Sequence, residues 1–147
     1  MLICVNNVAD LQFWLRFFLN WTGVNMFYDS NSASNCDMQL YTDASSTIGF
    51  GGLYQGKWFC SPWPDELPSL NDKNLSMAVL ELYQIVVAAL LWGSEWKRKE
   101  ILFYCDNEAT VGIAKKGRSK CIEIIKLMRQ LTWCASLHNF QFTAKRV

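Results

Sequence analysis

Three acidic residues lie within or directly after strongly apolar segments. Asp43 closes the strand-like segment 39–45, QLYTDAS, and Asp106 follows the apolar segment 101–105, ILFYC. Glu81 is the only acid in the apolar run 77–92, MAVLELYQIVVAALLW. A buried carboxylate is unfavourable unless a cation or strong hydrogen bonds compensate it. Three carboxylates at the ends of neighbouring core elements could share a pair of divalent ions, and oxygen-only sites suit Mg²⁺ or Mn²⁺ in phosphoryl chemistry.

Each acid also has a purely structural interpretation. Asp43 could form an Asx turn before the following serine, and Asp106 could be the N-cap of a helix. Glu81 could reach water at the edge of its helix. No helical salt bridge compensates Glu81, because positions 77 and 85 are Met and Ile rather than basic residues. The three acids are therefore more informative together than any one of them is alone.

Length and composition indicate one folded domain. The chain has 147 residues, of which 51% are hydrophobic and 18% charged, enough apolar material for a core. Glu81 and Gln84 interrupt the longest apolar run, so we predict no membrane-spanning helix, and the N-terminus lacks the basic lead of a secretory signal. The six cysteines show no Cys-x-x-Cys pair and no histidine partner at ligand spacing, which argues against a zinc site. Several of them lie on apolar strands or helix faces, which indicates small core residues in a reducing intracellular compartment, cytoplasm or nucleus.

Charge is segregated along the chain. Residues 1–96 carry three Lys/Arg against nine Asp/Glu, a net charge of −6, whereas residues 97–147 carry eleven against four, a net charge of +7. This distribution fits a protein that holds cations in one place and phosphates in another. Two ordinary solvated surfaces remain the alternative.

Hydrophobic periodicity predicts an α/β domain with the order β-β-β-α-β-α-α-β, a mixed sheet with flanking helices. An aromatic helix over 8–21 and a polar linker over 29–37 precede it, so we divide the chain into 1–37 and 38–147. The helix could pack on the domain or dock on a neighbouring one. Gly49, Gly51 and Gly52 predict a bulge or a close backbone approach. The predicted strands are 39–45, 48–54, 57–60, 101–105 and 140–144, and the predicted helices are about 75–98 (N-cap Asn74 or Ser76), 107–115 and 120–137.

Three motifs together resemble the ribonuclease H domain of reverse transcriptases. They are YTDASSTIGFGG at 41–52, LEL at 80–82 and YCDNEAT at 104–110. The sequence is most similar to the retrotransposons that carry a tyrosine recombinase, the DIRS and Ngaro group. The segments 116–120, 127–131 and 139–144 also resemble that group, as do 10–14 and 21–23, which in relatives tether the domain to the polymerase.

The resemblance implies a catalytic and metal-binding role for Asp43, Glu81 and Asp106. In the family these acids would coordinate two Mg²⁺ ions, or Mn²⁺, that bridge a scissile phosphate. The implied substrate is the RNA strand of an RNA–DNA hybrid, recognised through its 2′-hydroxyls and helix shape. A basic segment could bind backbone phosphates, with a solvated loop as the alternative. Its residues are Lys115, Lys116, Arg118 and Lys120.

The chain departs from the family after its last strand. Relatives continue with a His-Pro-Gly type turn and a final helix that bears a fourth acid, whereas here Arg146 stands near the histidine position and Val147 is the last residue. We therefore expect a ribonuclease H-like five-stranded sheet without the final helix. The alternatives are a weakened or inactive remnant that binds nucleic acid or packs on a polymerase domain, and another nuclease of the superfamily, such as an exonuclease or integrase.

Overall fold

A computed structural model describes residues 5–20, 38–67 and 73–147 of the chain. The polar linker predicted over 29–37 lies outside the described residues, so the proposed domain boundary stays a prediction. The elements are α1 (Val5–Asn20), β1 (Gln39–Ala44), β2 (Gly49–Tyr54), β3 (Lys57–Pro62), α2 (Lys73–Trp92), a 3-10 helix (Gly93–Trp96), β4 (Glu100–Cys105), α3 (Glu108–Lys116), α4 (Ile122–His138) and β5 (Gln141–Arg146).

The strands form one mixed sheet in the order β3-β2-β1-β4-β5. The first three strands are antiparallel neighbours, and β4 pairs in parallel with both β1 and β5. The predicted α/β class and the predicted element order are therefore confirmed for the described residues. Parallel pairing of β1 with β4 determines where Asp43 and Asp106 lie, because it brings the C-terminal ends of both strands to one edge of the sheet.

The core lies between one face of the sheet and the helices α2 and α4. From the sheet, Leu40, Ile101 and Phe103 are fully buried, and Ile124 and Leu131 of α4 meet the same cluster. The segment Met77–Trp96 is long and apolar enough to cross a membrane, but 67% of that window is buried inside the fold. Its apolar character is accounted for by its position at the centre of the protein.

The central helix ends earlier than predicted. The prediction of one helix to about residue 98 is wrong, because α2 stops at Trp92 and a 3-10 turn carries the chain to Trp96. Trp96 is fully buried, and Arg98 adopts a left-handed φ of 60° while its N–H donates to the Asn139 carbonyl oxygen. Burial of an indole side chain thus outweighs continued helix formation.

The start of this helix also differs from the prediction. It begins at Lys73, before both proposed N-cap residues, so Asn74 and Ser76 lie inside the helix rather than at its cap.

The aromatic helix α1 packs on α4 with one side only. Asp10 accepts hydrogen bonds from Arg129, and the Arg16 guanidinium lies 4.4 Å from the ring centroid of Trp133. Leu15 and Phe18 remain exposed on the other side.

On the sheet, the rings of Tyr41 and Tyr104 stack on each other with 4.8 Å between their centroids. This pair lies on the face of the sheet away from the buried Leu40.

The glycines of β2 permit close pairing with β3, as the sequence predicts. A Cβ at Gly49 would meet the Ser61 carbonyl oxygen and lie 2.9 Å from Pro62 Cα. We expect Gly49→Ala to lower the free energy of unfolding by about 2 kcal/mol, because the backbone of two paired strands must separate. Gly112→Ala is the matched control, since nothing lies within 4 Å of that position.

This control should raise the free energy of unfolding by about 0.5–1 kcal/mol, because alanine favours the helix in which Gly112 lies. Chemical denaturation of both variants measures the two effects. Equal effects of the same sign would contradict the close approach of β2 and β3.

Candidate active site

The ends of β1 and β4 place two acids side by side at one edge of the sheet. Tyr41 pairs with Tyr104 across the parallel ladder, and Asp43 and Asp106 each follow two residues later. Both carboxylates are on exposed residues. The carboxyl ends of parallel strands are a common ligand-binding position in open α/β sheets. The structure therefore brings these two predicted residues to the same edge.

Glu81 approaches that edge from the helical layer. It lies on α2 within the buried core, and only 1% of the residue is exposed. Side chains alternate along a strand, so Asp43 lies on the face of the exposed Tyr41 and opposite the buried Leu40. The three acids therefore come from the helical layer, from the end of β4 and from the more open side of β1.

The pKa of Glu81 reports the proximity of the other two acids. Burial, and after it the negative charge of Asp106, raises this pKa to about 7. A hydrogen bond from Gln84 opposes the increase, and the charge of Asp43 makes the smallest contribution to it. Burial, followed by the charge of Glu81, likewise raises the pKa of Cys105 to about 11. Both shifts place Glu81 near the end of β4, with Asp43 as its weaker electrostatic neighbour.

No basic side chain compensates these acids within the described residues. The four ion pairs there are Lys57–Glu95, Lys126–Glu123, Arg129–Asp10 and Arg146–Glu108. Carboxylate oxygens without a cationic partner are the donors that Mg²⁺ and Mn²⁺ prefer, so the chemistry of the three residues fits a divalent ion. Across 5–20, 38–67 and 73–147, however, no three His, Cys, Asp or Glu side chains form a closed metal-ligand group.

The structure also tests the alternative roles of the acids. Asp106 is not the N-cap of α3, because the Asn107 side chain accepts the hydrogen bond from the Thr110 N–H. The turn after β1 is closed by Ser45, whose Oγ accepts from the N–H groups of residues 47 and 48. Glu81 does not extend to water, as its burial shows.

The four predicted phosphate-binding residues form an exposed basic segment beyond the acids. Lys115 and Lys116 end α3, and Arg118 and Lys120 follow in the loop after Gly117. Helix α3 begins two residues after Asp106, and its nine residues span about 13 Å along the axis at 1.5 Å per residue, so Lys115 and Lys116 lie at the end of the helix away from Asp106. Cations at a helix C-terminus also interact favourably with the helix dipole, so part of their role is structural.

The sequence interpretation missed Gln84. Its Nε2 donates a 2.6 Å hydrogen bond to Glu81 Oε2, and both residues are buried. The available signal was a polar residue three positions after the acid, which shares one face of a helix with it. A test for basic partners four residues away does not detect an amide partner three residues away.

Comparisons with protein-family models, with curated proteins and with solved structures found no match to this chain. The residues at this edge of the sheet are therefore the basis for a functional proposal.

Proposed function

We propose that the chain is a divalent-metal-dependent nuclease of the ribonuclease H type that hydrolyses the RNA strand of an RNA–DNA hybrid. The observation that carries the proposal is the buried Glu81, which has no cationic partner among the described residues and lies within the electrostatic reach of Asp106 and Asp43. A fold that retains an uncompensated buried carboxylate beside two further acids pays a stability cost that a bound cation removes.

In this proposal Asp43, Glu81 and Asp106 hold Mg²⁺ or Mn²⁺. Bound divalent ions would polarise the scissile phosphate and lower the pKa of the attacking water. Asp43 and Asp106 lie on the exposed edge, where a nucleic-acid backbone can approach, whereas Glu81 supplies oxygen from the helical layer. In this proposal the solvent-facing ligands come from the two strand ends, because Asp43 and Asp106 are exposed and Glu81 is buried.

The basic segment of residues 115–120 supports a nucleic acid as the substrate. Its four cations lie at and beyond the C-terminal end of α3, the helix that follows Asp106, so a duplex whose phosphate reaches the acids could extend along α3 toward them. Contacts of this kind are made to phosphates and do not read base sequence. We therefore propose recognition of the hybrid through backbone charge, 2′-hydroxyls and helix shape.

A specific observation favours a second candidate function, a catalytically weakened or inactive domain. Helix α1 presents exposed apolar residues, including Leu11, Leu15 and Phe18, that could pack against a polymerase domain. Such a domain would bind the hybrid without cutting it.

Cleavage assays separate the two candidates. The 147-residue chain is incubated with a hybrid labelled on its RNA strand, and with single-stranded RNA, single-stranded DNA and duplex DNA, in Mg²⁺, Mn²⁺ or EDTA. The proposal predicts cleavage of the hybrid RNA that requires the ion. Binding of the hybrid without cleavage in either metal would favour the inactive domain, and a preference for single-stranded DNA would indicate another nuclease of the superfamily.

Neutralising two cations of the basic segment tests its role in binding. We expect the double variant Lys116→Gln/Arg118→Gln to weaken hybrid binding at low salt and to reduce the slope of log affinity against log salt by about 1–2, because each phosphate contact releases condensed counterions. Fluorescence anisotropy at several salt concentrations measures both quantities.

The control variant is Lys57→Gln, a lysine paired with Glu95 at the other end of the sheet. An unchanged salt slope in the double variant would show that residues 115–120 are only a solvated surface.

A further inference from the structure

Gln84 is the closest polar partner of Glu81 among the described residues. The 2.6 Å distance between Gln84 Nε2 and Glu81 Oε2 joins two side chains of which 0% and 1% are exposed, respectively. In such surroundings an amide donor to a carboxylate is a charge-assisted hydrogen bond without competition from water. We propose that Gln84 is a positioning residue that holds the Glu81 carboxylate at the metal-binding edge of the sheet.

The orientation of the Gln84 amide supports this role. Its Oε1 is buried and lacks a hydrogen-bond partner among the described residues. An unpaired buried acceptor is unfavourable. The reversed amide would place Oε1 against the negatively charged Oε2 of Glu81, which is worse. The amide orientation therefore satisfies the carboxylate even though its own oxygen is left unpaired.

Helix geometry places Gln84 on the same helix face as Glu81, about one turn toward the C-terminus. Residues three apart lie on the same face, and side chains on an α-helix lean toward its N-terminus. Gln84 thus reaches back one turn to its partner and contacts only Oε2. No described side chain donates a hydrogen bond to Oε1 of Glu81, so Gln84 leaves that oxygen available for a cation. Neighbouring groups that orient metal ligands typically change metal affinity by about 10–100-fold when removed.

This inference rests on the proposed metal-binding function, so its test measures ion binding rather than cleavage. Calorimetric titration of the full chain with MgCl₂ compares wild type with Gln84→Met, which has similar volume and lacks the donor. We expect the dissociation constant for Mg²⁺ to rise about tenfold. Ile85→Met is the matched control at the next core position, fully buried and without a polar group, and its Mg²⁺ affinity should equal that of wild type.

A double-mutant cycle separates positioning from a general structural effect. In the Glu81→Gln background, Gln84→Met should change the Mg²⁺ dissociation constant by less than about twofold, because the carboxylate that it positions is gone. A tenfold change in both backgrounds would overturn the inference in favour of an effect on the fold. Circular dichroism in EDTA establishes that each variant is folded, and Gln84→Leu replaces Gln84→Met if the latter is not.

The remaining outcomes of the titration also decide whether Gln84 positions Glu81. Equal Mg²⁺ affinity of wild type and Gln84→Met would overturn the positioning role and leave the proposed nuclease intact. Tighter binding by Gln84→Met would overturn it as well, since the amide would then withdraw Glu81 from the ion. Absence of Mg²⁺ binding by wild type would overturn both the positioning role and the metal site on which it rests.

Discussion

Asp43→Asn is expected to reduce Mg²⁺-dependent cleavage of the RNA strand by about a thousandfold, or ~4 kcal/mol of transition-state stabilisation. The substitution preserves the shape of the side chain and removes one negative charge at the exposed end of β1. An amide is a poorer ligand for Mg²⁺ than a carboxylate, and it does not balance the charge of a divalent ion at the scissile phosphate. Single-turnover rates with saturating enzyme measure the loss directly.

Glu95→Gln is the matched control for this experiment. Glu95 is an exposed acid paired with Lys57, at the end of the sheet opposite to Asp43, and the same loss of charge there should leave the cleavage rate unchanged. Thermal unfolding shows whether both variants are folded. Persistence of wild-type cleavage in Asp43→Asn would exclude this acid from catalysis and remove the basis of the proposed mechanism.

Glu81→Gln is expected to stabilise the metal-free protein at alkaline pH. Burial and the two neighbouring acids raise the pKa of Glu81 from 4.5 to about 7, so the folded state binds this proton more tightly than the unfolded state does. The free energy of unfolding therefore falls as pH rises from about 4.5 to 7 and remains low above that range. The full difference corresponds to about 3 kcal/mol, at 1.36 kcal/mol per pKa unit.

The glutamine variant mimics the protonated acid and has no charge to lose. At pH 4.5 its free energy of unfolding should match that of wild type, and at pH 8 in EDTA it should exceed wild type by up to about 3 kcal/mol. Urea denaturation at pH 4.5, 6 and 8 measures the difference, with Glu95→Gln as an exposed control. A difference that does not depend on pH would show that Glu81 titrates normally in the folded protein.

Added Mg²⁺ should reverse this order. A ligand that binds only the folded state stabilises it according to its concentration relative to the dissociation constant. Wild type at pH 8 should therefore gain stability with MgCl₂, whereas Glu81→Gln should gain much less. The same carboxylate would then lower the free energy of unfolding of the metal-free protein and raise that of the metal-bound protein, a trade-off that is common at functional sites.

Several features of the fold could be predicted from local sequence pattern. Alternation and apolar runs identified every strand of the sheet to within two residues at most ends, and glycines in β2 predicted the close approach to β3. The end of α2 was only weakly indicated in this way. Gly93 directly follows Trp92, but a single glycine is tolerated within a helix and does not by itself decide where the helix ends. The stop also depends on the burial of Trp96 and on the contact of Arg98 with the end of α4.

The N-cap of α3 shows a similar limit of prediction from local sequence pattern. Asp106 and Asn107 are both good N-cap residues, and only the backbone path at the end of β4 decides that Asn107 caps the helix. This outcome leaves the Asp106 carboxylate without a capping role.

The acids and the elements that carry them follow from local sequence pattern, because such a pattern indicates whether a segment forms a strand or a helix. The environment of each acid depends on the packing of these elements. Parallel pairing of β1 with β4 brings Asp43 and Asp106 to one edge, and packing of α2 on the sheet buries Glu81 beside Gln84. Burial and electrostatic coupling depend on contacts between residues distant in the chain, which local pattern does not encode.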